Sequence, residues 1–325
     1  MNIKETAQWL KEHDGYIILT HKSPDGDTIG SAAALCQTLR DMGKTAYMLP
    51  NPETTVRLEE FERDYIAPED FKGDTVVSVD TASVTMLQLN AGDYKDRVDL
   101  AIDHHGSHRS FEKELCLDGS AAACGEVMYR IFRETGVPVA KRTGSCLYMA
   151  ITTDTGCFRY SNTTPETLRI CADLIELGIP STYINKTFFR TKSLARVKVE
   201  SRLMSEMELY DNGVIAMVFV TKELMEDCSA TESDLEDIAA LAGEVEGVRA
   251  SITVKEKAEN VYKISLRTWA DLDANAVCAE FGGGGHKAAA GCTIEAPLPQ
   301  VKAKLLAAIE KVRLRDGGKL EEVRI

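Results

Sequence analysis

Apolar residues fall in short runs rich in Val and Ile through the first half of the chain: "GYIILTH" (15–21), "TAYML" (45–49), "DTVVSVD" (74–80) and "RVDLAIDHH" (97–105). Between them, "TIGSAAALCQTLRDMG" (28–43) carries helical spacing, which returns over 120–135 and 141–152. Strand-like runs separated by helices predict a parallel α/β sheet covered on both faces. This larger domain is read as residues 1–187.

The stretch "RTKSLARVKVESRLMSEMELYD" (190–211) has no Gly or Pro and places apolar side chains at Leu194, Val197, Val199, Leu203, Met207 and Leu209. It predicts one long connecting helix, assigned to 188–211 and closing near Asn212-Gly213. Beyond it, "GVIAMVFV", "GVRASITVKEK" and "VYKISLRT" read as strands, and "ESDLEDIAALAGEV", "LDANAVCAEF" and "LPQVKAKLLAAIEKVRL" as helices. The fold class is α/β in two domains, with a smaller mixed-sheet α/β domain over 212–325.

Composition changes this picture little. A chain of 325 residues with 44% hydrophobic and 27% charged positions is an ordinary soluble globular sequence, long enough for two cores. The start, "MNIKETAQWLKEHDGY", has no apolar signal segment, and no run approaches the ~18 residues of a membrane span. The expectation is a cytoplasmic protein without a membrane partner. Nine cysteines, without a C-x-x-C pair, read as free thiols in a reducing compartment.

Charge says more. With 38 Lys and Arg against 51 Asp and Glu, the net charge is −13, and a protein gripping long duplex nucleic acid would need the opposite balance. Any nucleic-acid partner is therefore expected to be short, held by a few local cations or metals.

The candidate chemistry gathers at the carboxyl ends of predicted strands, which line the ligand crevice of open α/β sheets. His21, Asp25 and Asp27 follow the first run, Asp80 ends "VVSVD", Asp103, His104 and His105 follow "LAI", and Asp154 lies in "AITTDTG". Asp27 also suits a helix N-cap before Thr28, and Asp154 a turn before Thr155-Gly156. Asp80 and Asp103 resist such readings, since an unpaired charge at a buried strand end costs several kcal/mol. Carboxylates and imidazoles without thiolate suit Mn²⁺, with Mg²⁺, Co²⁺ or Fe²⁺ also accommodated.

These stretches resemble a known family. "HKSPDGDTIGS", "VSVDTAS", "IDHHGSH" and "TDTGCFRYSNTTPET" are similar to the four motifs of the DHH phosphoesterase superfamily, and "ISLRT…DANAVCAEFGGGGHKAAAG" resembles its DHH-associated domain. The likeness runs in order over roughly residues 15–295, nearest to the nano-RNase and pAp-phosphatase subgroup. It implies two divalent ions, one held by His21, Asp25 and Asp80, the other by Asp27, Asp80, His104 and Asp154, with Asp80 shared and the pair ~3.5 to 4 Å apart. Such ions supply an activated water and neutralise charge at phosphorus. His105 is then the candidate acid, and Asp103 orients an imidazole through its ring N–H.

In the second domain, "EFGGGGHKAAAG" lacks the ending of a P-loop, yet glycines allow backbone N–H groups to approach a ligand. Gly283, Gly284 and Gly285 with His286, and Arg267 at the end of "VYKISLR", read as a phosphate clamp. Asn275, Lys287, Arg109 and Arg159 are further contact candidates. A clamp on a separate domain suggests a cleft that opens and closes.

The expected function is a Mn²⁺-dependent phosphoesterase that degrades short RNA to mononucleotides and takes the 3′-phosphate from 3′-phosphoadenosine 5′-phosphate (pAp) to give AMP. The alternatives are a cyclic-di-AMP or pApA phosphodiesterase, then a polyphosphate or pyrophosphate hydrolase, then a silent nucleotide-binding protein. The expected assembly is a homodimer.

Overall fold

The computed structural model describes residues 1–315 apart from 236–237 and 270–271. The chain divides into two compact units between Thr191 and Lys192.

The first unit opens with α1 (Ile3–Glu12), β1 (Tyr16–Leu19), α2 (Gly26–Asp41), β2 (Ala46–Met48), α3 (Val56–Glu62) and β3 (Thr75–Val79). It continues with β4 (Leu100–Asp103), β5 (Glu114–Leu117), α4 (Cys124–Thr135), α5 (Lys141–Asp154), α6 (Pro165–Glu176) and α7 (Ser181–Phe189). The five strands form one sheet in the order β2-β1-β3-β4-β5, every pair parallel. The four strand runs expected from sequence are β1 to β4; β5 carries too little apolar signal to be read.

Both sheet faces are covered, which explains the continuous apolar strands. Tyr16, Ile18, Val77 and Val79 face a large cluster built with α2, α4 and α5. Ile17, Leu19 and Val76 face a smaller one closed by Leu87, Ala91 and Val98. The alanine-rich start of α2 is buried on every side, from Gly26 to Cys36.

The second unit contains α8 (Leu194–Ser205), β6 (Glu208–Tyr210), β7 (Ile215–Val220), α9 (Lys222–Asp227), β8 (Ala250–Ala258) and β9 (Val261–Thr268). It ends with α10 (Ala274–Ala279), β10 (Gly284–His286), β11 (Ala289–Glu295) and α11 (Leu298–Arg315). Its sheet is mixed, in the order β10-β11-β9-β8-β7-β6, with β7 and β8 parallel and the other neighbours antiparallel. Ile252, Val254, Ile264, Leu266, Ala290 and Ile294 pack one face against α10 and α11.

Two expectations need correction here. The single helix over 190–211 is α8 alone: Ser193 caps it, its hydroxyl accepting from Arg196 N–H at 2.9 Å, and 208–210 is the edge strand β6 on β7. Met207 and Leu209 are two apart, a strand period, and β7's edge offers hydrogen bonds that another helical turn would forgo. The segment 232–245 is not an α-helix either. Its described residues form 3₁₀ turns at Glu232–Leu235 and Ile238–Glu244, which place Leu235, Ile238 and Leu241 against the sheet.

Candidate metal centre

Strand order reverses between β1 and β3, and at such a point the two chain crossovers part to leave a crevice. His21 lies just beyond the end of β1 and Asp80 just beyond β3, and His21 Nε2 is 3.6 Å from Asp80 Oδ2. Asp25 Oδ1 is also 3.6 Å from the same imidazole nitrogen. From β4, His104 Nε2 comes within 3.4 Å of Asp80 Oδ1 and 3.7 Å of both Asp27 Oδ2 and Asp154 Oδ2. The six residues expected to hold metal are therefore in one place.

Local conformation aims them. Asp80 has φ of 54°, the left-handed region, which costs roughly 1 to 3 kcal/mol in a non-glycine residue. Its N–H donates to Ile102 carbonyl at 2.9 Å, so β4 holds that turn. The N-cap of α2 is Asp25, not Asp27: Asp25 Oδ1 accepts from the N–H groups of Asp27 and Thr28 at 3.0 and 3.1 Å. Asp27 is the second residue of the helix, buried, accepting from Ser31 Oγ at 3.0 Å and from the N–H groups of Cys124 and Gly125 at the start of α4.

Asp154 is not at a strand end, as the sequence suggested. It is the last residue of α5, and packing of α5 on α2 brings it to the others. That packing needs glycine on α2. A Cβ at Gly26 would lie 2.4 Å from Thr153 Oγ1, and one at Gly30 would lie 2.5 Å from Cys146 carbonyl. Two glycines four apart on one helix face thus let the helices approach.

Burial pushes the Asp27 carboxyl well above the usual range, and its neighbours Asp80, Asp154 and Asp25 push the same way. Burial likewise raises Asp154 to about 6, with Asp80 and Asp25 adding to it and His104 opposing. A site where carboxylates repel one another wants a cation. Asp80 Oδ1 is buried without a hydrogen-bond partner, while carboxylate and imidazole atoms of His21, Asp25 and Asp80, and of Asp27, His104 and Asp154, lie within 4.8 Å of one another in each group. Hard oxygens with imidazole and no thiolate fit divalent cations.

His105 is placed differently. Its Nδ1 is 3.6 Å from Asp80 Oδ1 but only 2.7 Å from Asp103 Oδ1, so that nitrogen is a donor to Asp103 rather than a metal ligand. That bond raises the imidazole pKa to about 9. Asp103 is fully buried, and although burial opposes it, its histidine partners hold its pKa down to about 2. Sequence reasoning missed the second of those partners, His108, whose Nδ1 is 2.6 Å from Asp103 Oδ2. Its only signal was a third histidine in the same motif, "DHHGSH". Arg109 and Arg159 are exposed; Arg109 N–H donates to Ala82 carbonyl, and Arg159 Nε to Gly156 carbonyl.

In the second unit, His286 pairs with Ala289, and Ala289 with Arg267. Residues directly opposite in antiparallel strands share a face, so Arg267 and His286 flank one alanine methyl, ~10 Å apart by two strand spacings. The second half of the glycine run, Gly284 and Gly285, lies in strand β10, entered from a turn at Gly282. A Cβ at Gly283 would lie 2.2 Å from Gly291 carbonyl, and one at Gly285 2.5 Å from Ala289 carbonyl, so both are needed for close pairing with β11. Gly284 has open space, with only Asn275 Oδ1 nearby. Asn275 accepts from Gly285 N–H at 2.9 Å and so steadies β10. Lys287 is exposed, and its carbonyl accepts from Ala274 N–H.

All nine cysteines are free thiols, and no helix among the described residues is long and apolar enough to cross a membrane.

Comparison with known proteins bears on this geometry. Residues 16–151 match the DHH family, N-terminal domain, and residues 211–313 match the DHHA1 domain. The chain is 32% identical to the bifunctional oligoribonuclease and PAP phosphatase NrnA of Thermus thermophilus, over 96% of this chain and 94% of that protein. It is 27% identical to the protein of the same name from Bacillus subtilis, over 89% and 92% of the two chains. Among solved structures, an exopolyphosphatase-related protein from Bacteroides fragilis shares the fold, with a TM-score of 0.86 at 24% identity, covering 96% of each chain.

Proposed function

This chain belongs to the DHH family of phosphoesterases, and on that premise we propose that it is a two-metal enzyme that hydrolyses short RNA to mononucleotides and converts pAp to AMP and phosphate. The observation that carries the metal reading is Asp80, which stands between His21 and His104 with one buried oxygen lacking a hydrogen bond. The substrate class follows the names of the two relatives and agrees with the net charge of −13, which disfavours long nucleic acid.

His21, Asp25 and Asp80 would hold one ion, and Asp27, Asp80, His104 and Asp154 the other, with Mn²⁺ the proposed metal. When bound, such ions supply an activated water and offset negative charge at the phosphorus. The protein's own groups do the rest. Asp103 holds His105 by its Nδ1, leaving the Nε2 edge to donate a proton to the departing oxygen. Arg267 and His286 bind a substrate phosphate, with Gly284 leaving room beside them.

The test is a product time course in Mn²⁺ on pApA, short labelled RNA, pAp, cyclic-di-AMP and polyphosphate. The expected outcome is mononucleotides from pApA and RNA and AMP from pAp. Preferential turnover of cyclic-di-AMP or polyphosphate would overturn the assignment.

A further inference from the structure

Behind His105 and Asp103 lie two buried polar side chains, His108 and Glu112, that the reading above does not use. Asp103 Oδ1 accepts from His105 Nδ1 at 2.7 Å and from the backbone N–H groups of His104 and His105 at 2.8 and 3.3 Å. Among the described residues, Asp103 Oδ2 has His108 Nδ1 as its hydrogen-bond partner, at 2.6 Å. The other nitrogen of His108 is 3.3 Å from Glu112 Oε2, which also accepts from Phe111 N–H at 2.7 Å. The Phe111 ring stacks on His108, centroids 5.7 Å apart at 25°, and packs against the apolar cluster beneath the sheet. The side chains of His108 and Glu112 are each only 2% exposed.

An imidazole enclosed between two buried carboxylates is expensive to desolvate, and an apolar side chain of similar size would fill the same space at lower cost. What the arrangement supplies is orientation. A carboxylate held at one oxygen can swing about its Cα–Cβ bond, whereas one held at both is fixed. We infer that His108, backed by Glu112, is a positioning residue: it fixes the second oxygen of Asp103 so that Asp103 presents the His105 ring to the site at a single angle. Neither side chain is exposed enough to touch substrate, so the effect passes through Asp103. Misorienting a reacting group costs rate more than binding. The inference rests on the phosphoesterase reading of the same site.

Two substitutions separate orientation from space-filling. In H108N an amide N–H can take the place of Nδ1, and in H108Q it takes the place of Nε2 and leaves Asp103 Oδ2 unmet. For hydrolysis of pAp in Mn²⁺, H108Q should lose about tenfold to a hundredfold in kcat with KM little changed, the scale of one hydrogen bond to a charged group. H108N should recover most of that loss. A second readout needs neither metal nor turnover: NMR of isotope-labelled histidines in the metal-free protein. Wild type should show slowly exchanging, downfield Nδ1–H protons for both His105 and His108, and H108Q should shift the His105 signal while H108N leaves it in place. Equal kcat in the two variants, or absence of those protons in wild type, would overturn the inference. Wild type inactive on every nucleotide substrate would instead strike the proposed function, and the NMR comparison would still decide the role of His108.

Discussion

Asp27, on α2, caps helix α4. Cys124 N–H donates to Asp27 Oδ2 at 2.6 Å and Gly125 N–H to Oδ1 at 2.9 Å, while Ala123, at the N-cap position, has no side-chain acceptor to offer. The same carboxylate faces His104 across the candidate metal centre. One side chain thus ties a helix terminus to the site, whereas Asp154 makes no side-chain hydrogen bond among the described residues.

The two aspartates should therefore differ when metal is removed. In chelator at about pH 4, below the range in which its raised pKa costs stability, Asp27→Ala should destabilise the first unit by about 1 to 2 kcal/mol, the value of an N-cap. Asp154→Asn should stabilise it above pH 6, because it removes a carboxyl whose pKa the folded state raises to about 6. Urea denaturation with chelator present measures both, and equal losses would contradict the asymmetry.

Asp80 and Arg267 should separate by kinetic phase. Asp80→Asn should abolish turnover and lower the number of Mn²⁺ ions bound while the fold melts no earlier. Arg267→Ala should chiefly raise KM. Steady-state kinetics with metal-binding calorimetry distinguishes them, and near-normal turnover by the Asp80 variant would exclude it as a shared ligand.

Metal binding should release protons, and more of them as pH falls toward 6. In the metal-free protein burial and neighbouring carboxylates hold the Asp27 and Asp154 carboxyls above their ordinary range, so part of each keeps its proton there, and a cation expels it. Calorimetric titration with Mn²⁺ at pH 6 and pH 8, in buffers of different ionisation enthalpy, counts those protons. The same count at both pH values would show that the carboxylates were already ionised.

Glu62, the last residue of α3, supplies a pH test of stability. Burial raises its pKa to about 7, with Glu59 adding to it, and Oε2 has no hydrogen-bond partner. The folded state then holds a proton that the unfolded state releases, so this residue's contribution to stability falls as pH rises from its ordinary range through 7. Glu62→Gln should raise the melting temperature at pH 8 and change it little at pH 4. A variant that melts equally below wild type at both values would assign Glu62 a stabilising contact instead.

Much of this protein is legible in order along the chain. The Val and Ile runs of β1, β3 and β4 are followed by His21, Asp80 and Asp103-His104-His105, because a parallel strand buried on both faces is mostly apolar and its ionisable residues gather where it leaves the sheet. That pattern collects His21, Asp80, Asp103, His104 and His105, whereas Asp154 ends a helix and lies outside it. The glycine run before His286 was legible as special, though not that Gly284 and Gly285 pair with β11 as a strand.

From the sequence alone come the α/β class and the strand ends that carry His21, Asp80 and His104, since these follow from side-chain periodicity over a few residues. Only the tertiary structure decided that Asp25 rather than Asp27 caps α2, that Asp27 caps α4 some 97 residues later, that Gly26 and Gly30 admit α5 and with it Asp154, and that His108 closes on Asp103 from behind. Each of these is a contact between surfaces that meet only when helices pack. Local periodicity sets which face a residue is on; the neighbour it finds there is set by close packing of the whole unit.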